Sequence, residues 1–138
     1  MLKEAPFLNE DTTTNDSDKT VTIPSDEEWD IWSIQIDYTS TATAGNRQLV
    51  VLFTNDADAI IHEVRVGVTQ AASLNYFYNI APGVADLTTI RDTLFLTTPM
   101  PLMKMAGGWK IRVYDNAAIA AAADDMEVRI LYVKRTVR

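Results

Sequence analysis

The clearest pattern along the chain is an alternation of apolar and polar residues between positions 32 and 38. The apolar positions are Trp32, Ile34, Ile36 and Tyr38, and the polar ones are Ser33, Gln35 and Asp37. A period of two is typical of a strand that buries one face, so the apolar side chains are predicted to face a core. Ala44-Gly45-Asn46 predicts a turn after this strand. Residues 47–55 return as a second strand that is apolar on both faces, so the stretch 23–55 is expected to form a long hairpin.

Six further segments carry the same alternation or a short β-rich run between turn signals. They are residues 20–23, 60–68, 74–80, 93–97, 109–115 and 126–134. The alanine-rich segment 116–125 is the exception: alanine is the best helix former, so a short helix capped by Asp115 or Asn116 is predicted there.

Eight β-runs joined by turns predict an all-β protein. The fold class that fits best is an eight-stranded β-sandwich, jelly-roll-like, with an extended N-terminal arm. In such a fold the first run pairs with the last, which would place Val21–Ile23 beside the strand that ends at Lys134. A lipocalin-like barrel is the main alternative, and the irregular connections 84–92 and 98–108 argue against its simple up-and-down order.

The first 20 residues differ from the rest in composition. They are rich in Asp, Asn, Thr and Ser, so this segment cannot bury enough apolar surface to fold alone and is expected to order on a partner. The predicted organisation is an extended arm over residues 1–20 and a β-sandwich domain over 21–138. Residues 1–30 hold nine acids against two lysines, so the net charge of −7 lies entirely in this region.

Few side chains offer chemistry. The chain has no cysteine and a single histidine, His62, which excludes thiol catalysis and makes a zinc site or a Ser-His-Asp triad improbable. No phosphate-binding glycine motif and no cleft-forming pair of acids is present. We expect neither an enzyme nor a bound cofactor or metal. Two acid pairs in loops, Asp56/Asp58 and Asp124/Asp125, leave calcium binding open.

The charge pattern also limits the partners. No basic patch with interleaved aromatics occurs, which argues against nucleic acid. Met1-Leu2-Lys3 is followed by Glu4 and Pro6, so neither a signal peptide nor a membrane span is expected.

Several short motifs in the chain bear on its family. They are Ile23-Pro24-Ser25 before an aromatic strand, Gly45-Asn46-Arg47, Thr69-Gln70-Ala71-Ala72-Ser73, Ala81-Pro82-Gly83, and Trp109 to Met126 with its Tyr114-Asp115 and Asp124-Asp125 ends. In these pieces residues 23–133 resemble a family of small virion proteins of tailed bacteriophages with head accessory roles, as cement or decoration proteins. The motifs belong to turns and strands and carry no chemistry of their own.

The resemblance implies a non-enzymatic structural protein that binds and stabilises the capsid shell at the virion surface, after synthesis in the host cytoplasm. Its partners would be the major capsid protein and further copies of itself, as a homotrimer or a dimer. Under this hypothesis the arm grips the neighbours. Leu2, Phe7 and Leu8 are its expected apolar anchors, while Glu10 and Asp11 face basic capsid patches.

The aromatic residues favour an alternative, a carbohydrate-binding or adhesion module of a phage tail or fibre. The candidates for a sugar-stacking platform are Trp29, Trp32, Trp109, Tyr76, Phe77 and Tyr78. Trp32, Trp109, Tyr76 and Tyr78 are in phase with Ile and Leu neighbours and are therefore predicted to lie in the core. Trp29 is the one expected to be free.

Overall fold

Ten strands make up the fold in a computed structural model that describes residues 5–87 and 95–137. They are β1 (Phe7–Asp11), β2 (Asp18–Thr22), β3 (Glu27–Thr39), β4 (Leu49–Thr54), β5 (Ile60–Arg65), β6 (Asn75–Ala81), β7 (Phe95–Pro99), β8 (Met103–Met105), β9 (Lys110–Asp115) and β10 (Asp125–Thr136). The described residues contain no helix. The all-β prediction is confirmed, but the strand count is ten rather than eight because residues 7–11 and 103–105 form additional strands.

The strands pair in a nested order. β1 pairs with β10, β2 with β9, β3 with β6 and β4 with β5, always antiparallel. Pairing of β10 with β3 and of β9 with β4 joins these pairs into two sheets. Sheet A has the order β1-β10-β3-β6-β7, with β8 beside β3, and sheet B has the order β2-β9-β4-β5. The β6–β7 pair is parallel.

Two predicted pairings are wrong. Residues 23–55 do not form a hairpin, because β3 belongs to sheet A and β4 to sheet B. The connection between them instead crosses from one sheet to the other, and Arg47 fixes it by exchanging two backbone hydrogen bonds of 2.8 Å with Gln70. Val21–Ile23 does not lie beside the last strand either. β2 pairs with β9, and β1 takes the place next to β10.

The core lies between the sheets and follows the alternation read from the sequence. Ile34, Ile36 and Tyr38 of β3 are buried as predicted. Both faces of β4 are covered, since Val50 is as fully buried as Val51. Each such side chain contributes about 1.5–3 kcal/mol by leaving water, which makes this interior the main source of stability.

A β-bulge reverses the alternation at the start of β3. Leu131 and Tyr132 are consecutive in β10, but they lie opposite Ser33 and Ile31, so Trp32 is an additional residue in β3. An additional residue shifts the side-chain phase by one position. Trp29 and Ile31 are therefore buried while Trp32 is 49% exposed, which corrects the prediction that Trp32 is a core residue and Trp29 is free.

Most of the segment predicted as an extended arm, residues 1–20, lies within the described residues, where it pairs with the rest of the same chain. Phe7–Asp11 is the outermost strand of sheet A, hydrogen-bonded to β10 of the same chain. The buried ammonium of Lys19, from sheet B, donates to Asp11 Oδ1 over 3.0 Å and to the Thr13 carbonyl over 2.8 Å. This contact ties the edges of the two sheets together, so residues 7–19 are part of the sandwich.

The predicted helix at 116–125 is wrong as well. Residues 116–124 form successive turns in which Ala118 and Ala120 have positive φ angles of 54° and 49°. The buried carboxylate of Asp115 accepts hydrogen bonds from the backbone N–H groups of Ala117 and Ile119, at 2.9 and 2.8 Å. These local hydrogen bonds compete with helix formation and override the propensity of alanine.

Candidate functional site

An apolar stripe crosses the outer face of sheet A, and its members are Leu8, Leu131, Trp32 and Leu102. Leu8 of β1 is paired with Leu131 of β10, and Leu131 lies opposite the bulge that contains Trp32. Trp32 and Leu102 line one pocket of about 290 Å³ beside Met103 and Lys104. The stripe is therefore continuous across three strands and reaches the segment that precedes β8.

The stripe leaves much apolar surface in contact with solvent. Leu8 is 52% exposed and Leu102 is 82% exposed. A contiguous apolar patch on a protein surface is typical of a binding site, and tryptophan is among the residues most enriched at the energetic centre of interfaces. The arrangement can bury a partner protein's apolar surface.

A groove lies on the same outer face, further along β3, β6 and β10. It has a volume of about 330 Å³, and its lining includes Gln35, Asp37, Phe77, Asn79, Phe95 and Arg129. Phe77 and Phe95 stack with ring centroids 4.9 Å apart and planes inclined by 18°. The groove thus combines an aromatic pair with polar side chains, unlike the apolar stripe.

The outer face of sheet B carries exposed ion pairs. Arg112 donates to both carboxylate oxygens of Asp18, over 2.8 and 2.7 Å, and its guanidinium lies 3.9 Å from the ring centroid of Tyr114. The hydrogen bonds to Asp18 raise the pKa of Arg112. Arg65 also pairs with Glu63 on β5, with two of its guanidinium nitrogens near the single oxygen Oε1 at 3.0 and 2.9 Å. This face is a solvated one whose charged groups already have partners.

The partner-binding residues predicted for the arm differ in their surroundings. Leu2 lies outside the described residues. Phe7 stacks on Tyr132, with centroids 5.7 Å apart, under the ammonium of Lys134. Asp11 is held by Lys19, whose hydrogen bond keeps the pKa of that carboxyl below its ordinary value although burial alone would raise it.

The two remaining members of that set point away from the core. Glu10 lies 3.8 Å from the guanidinium of Arg129, which is a loose ion pair at the surface. Leu8 occupies the outer face and belongs to the apolar stripe. Of the predicted anchors, Leu8 is thus the one that the structure places in a candidate interface.

Asp124, one of the acids considered for calcium, is fully buried and committed to internal partners. Its carboxylate accepts two hydrogen bonds from the Arg47 guanidinium, at 2.9 and 3.2 Å, and one of 2.8 Å from the Tyr38 hydroxyl. The Thr41 N–H adds another at 2.8 Å. Burial by itself would raise the pKa of Asp124, but these hydrogen bonds outweigh it and lower the pKa.

Residues from three of the five sequence motifs, Arg47, Gln70 and Asp124, meet at this buried pair. Gln70 Nε2 donates to the Tyr38 carbonyl over 2.8 Å, and the Tyr78 hydroxyl donates to Gln70 Oε1 over 2.9 Å. Burial raises the pKa of both tyrosines. Arg47, Gln70 and Asp124 therefore form a structural network that closes one end of the sandwich.

The loop acids do not converge on a cation. Asp58 bonds to Lys110 over 2.7 Å at the start of β9, whereas Asp124 lies near the end of the chain segment that follows β9. The two acid pairs are thus at opposite ends of sheet B. Over residues 5–87 and 95–137, no group of three or more His, Asp or Glu side chains is placed to hold a metal ion.

His62 and the remaining aromatic residues have structural surroundings. The His62 ring lies 6.3 Å from that of Phe53, its partner across β4 and β5. Tyr78 is buried as predicted, and Tyr76 and Trp109 are partly buried against the core. Phe77 has the opposite phase to its tyrosine neighbours and faces the groove.

Sequence reasoning missed most of the stripe. The alternation over 126–134 already separates Leu131 from the core residues, and an apolar side chain on the polar face of a strand is the signal that marks it. Leu102 follows Pro99-Met100-Pro101, a segment whose sequence does not predict which way the side chain of Leu102 faces. The exposure of Trp32 depends on the β-bulge, and no local feature of the sequence predicts that bulge.

No helix in the described part of the chain has the length and apolar character needed to cross a membrane. No family model matches the chain, and no curated protein is similar to it in sequence. Among solved structures it is similar to a chain in a structure of infectious bursal disease virus, Gx strain, with a TM-score of 0.39 and 8% identity. That likeness covers 96% of this chain but 37% of the other, so this chain spans little more than a third of that protein's length. At this TM-score the likeness assigns neither fold nor function.

Proposed function

We propose that this chain is a non-enzymatic structural protein of a tailed-phage virion, which binds and stabilises the capsid shell as a cement or decoration protein. The observation that carries the proposal is the apolar stripe of Leu8, Leu131, Trp32 and Leu102. A stripe of this kind on one face of a rigid sandwich favours a role in holding another protein rather than in transforming a substrate.

The ion pairs that hold the sandwich together support this role. The buried ion pair of Arg47 and Asp124 closes one end of the sandwich, and the bridge from Lys19 to Asp11 ties the edges of its two sheets together with a charged hydrogen bond. A surface that is already rigid loses little conformational entropy on binding, which favours affinity. Such a frame suits a protein that clamps neighbouring shell subunits.

The gripping element that we propose differs from a free arm. Residues 7–11 are the edge strand of sheet A, so their contribution is the side chain of Leu8 and the outer edge of β1 rather than an extended peptide. Residues 1–4 precede this edge, and Leu2 among them remains a proposed anchor. Glu10, which is exposed beside Leu8, is the proposed contact to a basic patch on the shell.

We further propose that the sandwich is a jelly roll that assembles as a homotrimer or a dimer. The nested pairing of β1 with β10, β2 with β9, β3 with β6 and β4 with β5 supports the jelly roll. In this assignment β7 and β8 are short strands inserted into the connection from β6 to β9. Light scattering on the purified protein measures the number of copies.

Shell binding tests the proposal directly. Undecorated shells are assembled from the major capsid protein encoded with this chain, and binding is measured by co-sedimentation. Trp32→Ser is expected to weaken binding about 30-fold, since the loss of a central interface tryptophan costs about 2 kcal/mol or more. Leu102→Ser is expected to weaken binding in the same direction.

The matched control is Ile60→Ser. Ile60 is 65% exposed but lies on β5 at the edge of sheet B, so it changes a similar apolar area away from the stripe. Binding that survives Ile60→Ser and is lost in Trp32→Ser supports the proposal. Equal binding by all the variants, or no binding by the wild-type protein, contradicts it. Deletion of residues 2–19 is unsuitable because it removes β1, which pairs with β10, and Lys19, which bonds to Asp11, and is therefore expected to destabilise the sandwich.

A further inference from the structure

The groove on the outer face of sheet A has the chemistry of a ligand site distinct from the apolar stripe. Its volume of about 330 Å³ falls at the lower end of the range of roughly 300–1,000 Å³ found for small-molecule sites. We propose that it binds a neutral carbohydrate, with a pyranose ring packed against Phe77 and Phe95 and its hydroxyls bonded to the polar side chains of the groove.

The aromatic pair supplies the apolar part of the site. Phe77 and Phe95 are register partners on β6 and β7, and their rings stack 4.9 Å apart. Phe95 is 49% exposed, so much of its ring surface is still in contact with water. The C–H groups on one face of a pyranose carry a small positive charge, which suits the negative face of an aromatic ring.

The polar side chains supply paired donors and acceptors. Gln35 of β3 and Asn79 of β6 are register partners, so two side-chain amides line the groove next to each other. Each amide group has an acceptor oxygen and two N–H donors. Two neighbouring amides can therefore bond to adjacent hydroxyls, a pattern that sugars present and most metabolites lack.

The charged side chains of the groove favour a neutral ligand. Asp37 accepts a hydrogen bond of 2.8 Å from Asn75 Nδ2, and Arg129 donates one of 3.2 Å to Glu127 Oε2. One acid and one base line the groove, and Arg129 already has an acidic neighbour, so neither an anion nor a cation gains a strong partner. Both groups are held in place before a ligand arrives, which reduces the entropy lost on binding.

The backbone of β10, β3 and β6 below the groove is closed to strand addition by a peptide. β10, β3, β6 and β7 are consecutive in sheet A, so the strands β10, β3 and β6 have neighbours on both sides. A peptide that adds to a sheet needs an unpaired edge, and here only side chains are presented. Over these three strands recognition must therefore use rings, amides and charges, as recognition of a sugar does, while β7, which carries Phe95, is the last strand of the sheet.

The test uses the full chain labelled with ¹⁵N and follows the side-chain amide signals of Gln35 and Asn79 by NMR. The probes are cellotetraose, maltotetraose, xylotetraose and chitotetraose, with sialyllactose and inorganic phosphate as anionic comparisons. We expect saturable shifts of both amides with at least one neutral oligosaccharide and none with phosphate. Absence of saturable shifts with all four neutral oligosaccharides overturns the proposal.

Two variants and one control locate the binding. Phe77→Ala and Gln35→Ala should each weaken binding at least tenfold, and Gln35→Ala serves if loss of the ring disturbs the sheet. Trp32→Ser, which alters the apolar stripe, should bind the same oligosaccharide with unchanged affinity. Binding that is indifferent to both groove variants, or that is lost in Trp32→Ser, overturns the assignment to the groove. Because Trp32→Ser is also the variant that tests shell binding, failure of one proposal leaves the other standing.

Discussion

The two outer faces of the sandwich differ in the side chains that they expose: sheet B has charged residues in ion pairs, and sheet A has a stripe of apolar residues. On sheet B, Arg112 has Asp18 and Tyr114 as partners, and Arg65 has Glu63. On sheet A, Trp32 and Leu102 have much of their apolar surface in contact with water. A charged group that already has a partner gains little from a neighbour, whereas an exposed apolar side chain gains the hydrophobic contribution on contact. Sheet B also exposes Ile60 and Ile61, both on β5, whereas the apolar residues of sheet A form a stripe across three strands. For this reason the proposed binding surface lies on sheet A.

The largest expected effect comes from breaking the buried ion pair of Arg47 and Asp124, which stabilises the sandwich. Asp124→Asn leaves the buried guanidinium of Arg47 without its counter-charge, so the free energy of unfolding should fall by about 3–5 kcal/mol. Urea denaturation measures this change. Domains of this kind have total stabilities of about 5–15 kcal/mol, so this fall in the free energy of unfolding is large enough to measure.

Asp58→Asn is the matched control for that substitution. Asp58 has an exposed side chain and pairs with Lys110, and asparagine tolerates its positive φ of 62°. An exposed pair contributes about 0–1 kcal/mol, so this variant should be close to the wild type. Equal losses in the two variants would refute the structural importance of the buried network.

An acid titration measures the contribution of the two carboxylates whose pKa values are lowered, the buried Asp124 and the half-buried Asp11. The pKa values of Asp124 and Asp11 lie below the ordinary 3.8 in the folded state, so the unfolded chain binds protons more readily than the folded one. Their contribution is complete above pH 3.8 and is lost as the pH falls through the folded pKa values. Unfolding measured over this range should be less pH-dependent in Asp124→Asn. The same pH dependence in both proteins would contradict the assignment.

A smaller effect is expected on the charged face of sheet B. Arg112→Ala removes an exposed bidentate pair, so the unfolding free energy should fall by no more than about 1 kcal/mol, and less at high salt. Its affinity for shells should stay within about twofold of the wild type, since surface changes away from an interface are worth about 0.5 kcal/mol or less. A large loss of shell affinity in Arg112→Ala would move the interface to sheet B.

The smallest expected effect is that of Leu102→Ser on folding. This side chain is 82% exposed, so its replacement should change the unfolding free energy by less than about 0.5 kcal/mol. A thermal melt of the free protein checks this. A strongly lowered melting temperature would mean that Leu102 packs within the fold and is not part of a binding surface.

The sequence could predict most of the strands but not how they pair. Alternation in 32–38 and 126–134 reports which faces are buried, because burial imposes a period of two on any strand. The alternation gives no information on which strands share a sheet. It therefore predicts a hairpin of β3 and β4, whereas the structure puts these strands in different sheets, joined by a connection that contains the buried Arg47. The polar composition of residues 7–11 likewise concealed a strand, since its partner β10 supplies most of the apolar contact.

The candidate site was harder to predict for a related reason. Trp32 changes from core to surface because of one additional residue, and that bulge exists only relative to Leu131 and Tyr132, about a hundred positions further along the chain. The Ala118 and Ala120 turns are a different case, because the carboxylate of Asp115, a neighbour in the sequence, overrides the helix propensity of alanine through local hydrogen bonds. Local patterns predict what a segment can do alone, whereas the stripe and the groove arise from contacts between segments distant in sequence.

Hydroxyl-radical footprinting of the protein on assembled shells tests the central claim most directly. Trp32 on sheet A and Tyr114 on sheet B are two oxidisable aromatic residues on opposite outer faces, and mass spectrometry measures the oxidation of each in the free and bound states. Shell binding is expected to protect Trp32 and to leave the oxidation of Tyr114 unchanged. Protection of Tyr114 with continued oxidation of Trp32 would contradict it.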